Sequence, residues 1–460
     1  MILNTYEYNR ISVDKLPDSW NSPFALDELD DFLQQNWDQR GIFYEDGEIE
    51  SRQQFLGFDG IRAIRTKKYI GSIVFKGEQL NIFPRVFSYD KDDHDTEGLS
   101  HKHLLNNLVR WVEYCNKLDY PFLNISSELD ETEDLREFFI TLYIAYVNDA
   151  LFRGMYYEYV EHNEDCSSIK GKFNVKDYMV QKIPTGRCEK FNCTFSNYES
   201  DNRVNRIIKC VCKELMSITT SKNQKRLRQI LVRLNSVEDV KCKPSDCNGI
   251  RLSKMHRKYN IIISMSKMFL LNKTSNYTVD MNETFCFMFP TDLLFEGFIG
   301  GYIKETLENV GGKVELQENK VSLVDRIIYR GQVSDAAFTM RHDILAEING
   351  KLFILDTKYK EMSRFENNPD YKNTIENEAK QGDLYQVYEY ARKRGLDDVY
   401  LIYPMYRFEE EELEYPIAES DFQGGTMSVH FIRIPFVFEE DEEHTKQILR
   451  KVILNVFNVA

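Results

Sequence analysis

No run of eighteen apolar residues occurs in the 460-residue chain, which excludes a conventional membrane-spanning helix. No GxxxxGK followed by Ser or Thr occurs either, so the chain carries no P-loop for a nucleotide. Residues Met1 to Arg10 lack the basic start and apolar stretch of a signal peptide. Together these point to a cytoplasmic location. No pair among the nine cysteines has CxxC spacing: Cys210 and Cys212 are one residue apart, and Cys188/Cys193 and Cys242/Cys247 are five positions apart. Two readings stand, a zinc site assembled from several of them or reduced, mostly buried thiols. No repeat of fixed period emerges. The acidic stretch Asp90 to Glu97 lacks the spacing and central Gly of an EF-hand, and reads as a loop and a domain boundary.

Positive charge is also short overall. The net charge is −15, which argues against a protein that coats DNA by itself. The distribution is uneven, however. Residues 203–258 hold fifteen Lys or Arg against four acids, about +11, and leave about −26 for the rest. Either a local anionic partner or solvated helix faces explains that segment. Apolar bulk is ample: 30 Phe and 27 Tyr supply large cores, and 54.4 kDa suggests several domains.

The pattern divides the chain into three. Residues 1–98 read as a mixed, strand-rich region. A helix is predicted around Ala25–Leu33, and strands over Tyr69–Phe75 and Glu78–Phe83 flank a Lys76-Gly77 turn. Residues 99–284 read as mainly helical. Leu135–Tyr159 is a long segment broken at Gly154, and Asn202–Thr219 and Lys222–Val237 carry the basic excess. Residues 285–460 alternate helix and strand, an α/β core within a multidomain α+β chain. There Asp292–Val310 reads as a helix. His342–Ile348 and Lys351–Asp356 are strands joined by Asn349-Gly350, a strong hairpin signal. Glu376–Arg394 is a helix stopped by Gly395, and Asp398–Tyr403 is a strand ended by Pro404. Glu409–Glu414 and Glu439–Glu443 are acidic loops or helix starts.

The chemistry concentrates on that hairpin. A two-residue turn at Asn349-Gly350 sets Asp343 opposite Asp356, and strand alternation puts Lys358 on the face of Asp356. Two carboxylates on adjacent strands repel unless a cation sits between them. Hard oxygen ligands suit Mg²⁺ or Mn²⁺. A carboxylate-held Mg²⁺ with a nearby ammonium supplies the parts for phosphodiester hydrolysis. The bland alternative is a charged strand end in solvent. Gln386 and Tyr390 share a helix face four residues apart, and Glu296 is an acid amid an apolar helix.

Glu296, Asp343, Asp356-Thr357-Lys358 and Gln386-x-x-x-Tyr390, in that order, resemble the PD-(D/E)xK nuclease superfamily in its RecB-like QxxxY branch. Leu355–Lys360, Asp383–Gln386, Leu151–Gly154, Ile169–Phe173, Asp201–Lys209 and Asn81–Val86 resemble the McrC family, over about 70 to 405. The resemblance implies a Mg²⁺-dependent DNA endonuclease subunit of a modification-dependent restriction system. Asp343, Asp356 and the Thr357 carbonyl would hold the metal, with Glu296 as a further acid. Lys358 would be the catalytic lysine, and Gln386 and Tyr390 the accessory pair. It also implies a partner: an AAA+ McrB-like ring that binds GTP, recognises double-stranded, possibly methylated DNA, and is stimulated by this chain. The basic 203–258 segment would then guide DNA or touch the ring. Arg62, Arg65, Lys67 and Lys68 would form either a finger tip or an ordinary loop. His342 stands where the family has Pro; alternation turns it away from the face of Asp343, so it receives no role. Two other classes fit the residues: a non-catalytic activator of the ring, and a free-standing nuclease on other nucleic acid.

Overall fold

The computed structural model describes residues 2–38, 51–59, 63–87, 101–115, 135–250, 252, 256, 258–274, 285–318, 321–329, 332–360, 362–363, 370–405, 415–422, 425–438 and 442–457. The acidic loop 90–97, Arg62, the 409–414 stretch and 439–441 lie outside them.

The N-terminal region builds a four-stranded sheet. β1 (Ile2–Tyr6) runs parallel to β3 (Glu78–Phe83), and β3 pairs antiparallel with β2 (Tyr69–Phe75). Lys76 and Gly77 take φ of 51° and 76°, the double left-handed turn that closes a two-residue hairpin. α1 (Pro23–Asp38) buries Leu26, Leu29, Phe32 and Leu33 against this sheet. A smaller sheet of Arg10–Ser12, Leu56–Phe58 and Ala63–Thr66 flanks it. The fourth strand of the main sheet comes from far along the chain, Phe285–Pro290, paired with β2. Gly71 permits that approach. A Cβ there would lie 1.9 Å from the Phe287 carbonyl oxygen.

The middle region supplies α2 (His101–Tyr114) and α3 (Leu135–Arg153). It is less helical than its sequence suggests. Past Gly154 the helix does not resume; β4 (Glu158–Cys166), β5 (Lys172–Phe173) and β6 (Phe191–Glu199) form an antiparallel sheet in the order β4-β6-β5. β4 buries no residue, so neither face carries an apolar alternation that could be read. Then come α4 (Arg203–Ile218), capped by the Asn202 side chain on Asn205 N, α5 (Ser221–Arg233) and α6 (Lys258–Thr274). None of the nine cysteines forms a disulfide and six are buried, and no cluster of three or more metal-ligating side chains occurs among the described residues.

After β7 (Phe285–Pro290) and α7 (Thr291–Glu308) comes a six-stranded mixed sheet. Its strands are β8 (Lys313–Glu318), β9 (His342–Ile348), β10 (Lys351–Thr357), β11 (Asp398–Met405), β12 (Ile417–Phe422) and β13 (Gly425–Pro435), in the order β8-β9-β10-β11-β13-β12. Asn349 and Gly350 take φ of 52° and 75°, and the hairpin register runs from Ile348↔Lys351 to Ile344↔Leu355. α8 (Tyr371–Glu378) and α9 (Gln381–Arg394) replace the single helix expected over 376–394. Ala379 and Lys380 are extended, which starts α9 afresh with Asp383 in its first turn. Gly395, at φ 66°, ends it. β11 runs through Pro404 rather than stopping there. Ile402 O faces β10, where it accepts from Lys358 N; Pro404, two residues on, faces the same side beyond the end of β10, where no N–H is needed.

Both faces of this sheet are covered. Ile344, Phe353, Leu355, Tyr400, Ile402 and Ile432 join α7 and α10 (Glu442–Val456) in the main core. Leu345, Ile354, Leu401 and Tyr403 pack with Val387, Tyr390 and Ala391 of α9. α2 locks the middle region to the sheet. Trp111 is fully buried, stacked between Phe87 at 5.2 Å and Phe436 at 3.8 Å, and its Nε1 donates to Phe436 O at 2.7 Å. Asn107 donates to Phe438 O and accepts from Phe438 N at 3.0 and 2.7 Å. No helix among the described residues is long and apolar enough to cross a membrane.

A buried carboxylate joins the N-terminal sheet to this half. Glu7 is 2% exposed and accepts from the Thr291 hydroxyl at the start of α7, from Arg85 N at 3.0 Å and from Tyr359 OH at 3.1 Å. Burial outweighs these bonds and pushes its pKa up to about 7. The folded chain therefore keeps a proton that the unfolded chain releases near pH 4.5. This contribution to stability is complete below pH 4.5 and is lost as pH rises through about 7. The loss is on the order of 3 kcal/mol. Melting temperatures at pH 5 and pH 8 check it: Glu7→Gln should narrow the wild-type difference between the two, and an unchanged difference would contradict the assignment.

Candidate active site

Alternation along β10 turns Ile354 and Asp356 toward α9, and along β9 it turns Asp343 and Leu345 the same way. One step beyond the paired ladder, the register brings Asp343 against Asp356. Asp343 Oδ2 accepts from Thr357 N at 2.8 Å and from its hydroxyl at 2.9 Å, which fixes the carboxylate across the strand end. Asp356 is 1% exposed. Burial first, and then the charge of Asp343, pushes its pKa up to about 7.

Lys358 Nζ forms an ion pair with Asp356 Oδ2, donates to Gln386 Oε1 at 3.2 Å, and lies 4.0 Å from Asp383. Burial opposes its charge, but Asp356, Asp343 and Asp383 hold its pKa above the ordinary value. The ammonium is thus kept charged in a half-buried place. Gln386 Nε2 donates to Tyr390 OH at 2.7 Å, and Tyr390 OH donates to Arg341 O at 2.9 Å. A continuous chain of contacts therefore runs from Asp356 through Lys358, Gln386 and Tyr390 to the backbone just before β9.

Of the residues singled out in the sequence, Asp343, Asp356, Thr357, Lys358, Gln386 and Tyr390 come together. Glu296 is half-buried on α7, and among the described residues no hydrogen bond or ion pair links it to Asp343, Asp356 or Lys358. His342 departs from its expected orientation. Instead of turning away from α9, its ring meets Tyr390 edge-on at 4.5 Å, and its Nε2 accepts from Arg394 Nε at 3.3 Å. Gln317, on the neighbouring strand, takes φ 55°, so regular pleating fails at this strand end. Burial, and then Arg394, hold the imidazole pKa down, consistent with an accepting ring nitrogen.

Two participants lay within family-like stretches of the sequence but received no role from it. Asp383 pairs with Lys360 and approaches Lys358; its place one turn before Gln386 on the same helix was the available signal. Tyr359, which Glu7 holds, lies between the two lysines, and nothing local in sequence announces its partner 352 residues away.

Two carboxylates and a lysine at one end of a helix-covered mixed sheet define a candidate acid–lysine centre in an α/β protein. The donor set fits a hard divalent cation. Paired carboxylate oxygens, one of them disfavoured as an anion by burial, gain from a positive ion between them, and Mg²⁺ retains water for its remaining positions. The chain belongs to the family described as McrBC 5-methylcytosine restriction system component, whose profile matches residues 64–404. Among solved structures, it is similar to a half-complex from a tetradecameric assembly of Thermococcus gammatolerans McrB AAA+ hexamers with bound McrC. That match has 16% identity and a TM-score of 0.60, and covers 99% of this chain and 100% of that one. A second, the McrBC complex of the same organism, is 18% identical with a TM-score of 0.45, over 67% of this chain and 88% of that one. No curated protein matches.

Proposed function

We propose that this chain is the DNA endonuclease subunit of a modification-dependent restriction system, with a PD-(D/E)xK-type core that hydrolyses phosphodiesters with Mg²⁺. The observation that carries the reading is the convergence of Asp343, Asp356 and Lys358, with Gln386 bonded to the lysine. Family membership and the fold shared with a McrC-bearing assembly support it.

Asp343, Asp356 and the Thr357 carbonyl would hold the ion; Mn²⁺ suits the same ligands. When bound, it supplies Lewis-acid polarisation of the phosphoryl oxygen and acidifies water in its shell. Lys358 stabilises the negative charge that grows on the phosphorus-bound oxygens during attack. Gln386 fixes the lysine's direction, and Tyr390 fixes Gln386. Thr357 fixes the Asp343 carboxylate through two bonds. Glu296 would be a further acid for the ion. The partner is an AAA+ McrB-like ring that binds GTP, captures the DNA and is stimulated by this chain.

The test is plasmid cleavage by the purified chain with its AAA+ partner and GTP, in Mg²⁺ and in chelator. Cleavage should need partner, GTP and metal, and should return when Mg²⁺ is restored. Cleavage undiminished in chelator would refute the metal assignment, and cleavage by the chain alone would refute dependence on the ring.

A further inference from the structure

The basic segment of residues 203–258 is not uniformly available to a partner. On α4 and after it, the cations are largely answered from within. Arg206 pairs with Asp201 and Glu238, both at 2.8 Å. Lys209 and Lys213 share Asp239 at 3.1 and 2.8 Å. Arg203 donates to the carbonyls of Asp246 and Asn248 at 2.7 and 3.0 Å. A third of the segment's cations, five of fifteen, lie on α5. That helix contains no acid, and no acid occurs between Glu214 and Glu238.

Its burial is one-sided. Asn223, Leu227 and Ile230 are buried, followed by Leu234. Lys222, Lys225, Arg228 and Arg233 are exposed. At 100° per residue these four cations fall within about 140° of arc, centred opposite the buried side. Lys225, Arg228 and Arg233 make no ion pair among the described residues. From Lys222 to Arg233 the face is about 16 Å long, the rise of about five base pairs of duplex.

We propose that the exposed face of α5 is a phosphate-tracking surface for duplex DNA. This rests on the reading of the chain as a DNA-acting subunit and adds where the duplex lies on it. Charge complementarity selects the occupant. The chain outside residues 203–258 carries about −26 and repels a polyanion, so an acid-free, accessible stripe of cations is where a duplex can approach. A protein partner would call for aromatic or Met anchors among the charges. This face has only Gln229 and Val232 between its cations. Phosphate contacts carry no sequence preference, so the surface would hold any duplex and leave recognition elsewhere.

The test compares the full-length wild type with the triple variant Lys225→Gln, Arg228→Gln, Arg233→Gln. Binding to a labelled duplex is measured across a salt series, in chelator so that nothing is cut. The three side chains are exposed, so the melting temperature should not change. Expected is a loss of affinity of at least about tenfold near 0.1 M salt, with the slope of log K against log salt reduced by about 3. Unchanged affinity and slope would overturn the proposal, and so would a wild type that binds no duplex. A variant that keeps its DNA affinity but no longer co-elutes with the AAA+ partner would overturn it in favour of an acidic protein surface. Since no cleavage is read, failure here is distinct from failure of the nuclease reading, which shows as no cutting in Mg²⁺ by a chain that still binds.

Discussion

Asp356→Ala and Lys358→Ala should each lower DNA cleavage by at least about a thousandfold, while the chain still docks on its AAA+ partner. The size follows from what each group does. Asp356 is one of the two carboxylates that face each other across the strand end, and its removal leaves Asp343 without that partner beside the ammonium. Losing a preorganised charge stabiliser costs roughly 10²–10³ in rate, and losing the metal with it costs more. Lys358 is the one ammonium bonded both to Asp356 and to Gln386, so no neighbour replaces it; Lys360 is engaged by Asp383. Cleavage is measured on plasmid DNA, and docking by co-elution. Either variant cutting at the wild-type rate would remove its residue from the site.

Trp111→Ala should destabilise the chain by about 3–5 kcal/mol, the range for emptying a buried aromatic site. The indole is fully buried, fills the gap between Phe87 and Phe436, and satisfies the Phe436 carbonyl. Truncation therefore opens a cavity and leaves a buried acceptor unpaired. Its position makes the effect more than local. Phe87 follows the N-terminal sheet, Trp111 belongs to α2, and Phe436 follows β13 of the candidate nuclease sheet, so one side chain knits three parts of the chain. Urea denaturation of wild type and variant reads it. A loss under about 1 kcal/mol would mean that the stack is dispensable.

What the sequence made legible was local. The Asn349-Gly350 turn fixed the register that sets Asp343 against Asp356, because a two-residue hairpin leaves no choice of partner. The same held for Lys76-Gly77. Illegible parts depended on the rest of the fold. β4 is polar on both faces and gave no period, so a sheet stands where helix was expected. The break at Ala379–Lys380 has no Gly or Pro to announce it. Pro404 suggested a strand end, but its missing N–H faces a side with no partner. Within the site, residues chosen by strand parity and helix spacing came together. His342, paired with Glu318, did not follow parity; the neighbouring Gln317 takes a left-handed φ of 55° that strand alternation does not anticipate. Glu7, just past β1, meets Tyr359, just past β10, only through the tertiary fold.

Asp343, Asp356 and Lys358 are proposed to form a cleavage centre. The most direct measurement puts wild type and Lys358→Ala side by side, each with the AAA+ partner, GTP, Mg²⁺ and plasmid, with cleavage and GTP turnover read in the same tube. Wild type should cut, Lys358→Ala should not, and GTP turnover should be stimulated equally by both. Equal cutting by both, or intact DNA with both while GTP turnover is fully stimulated, would contradict it.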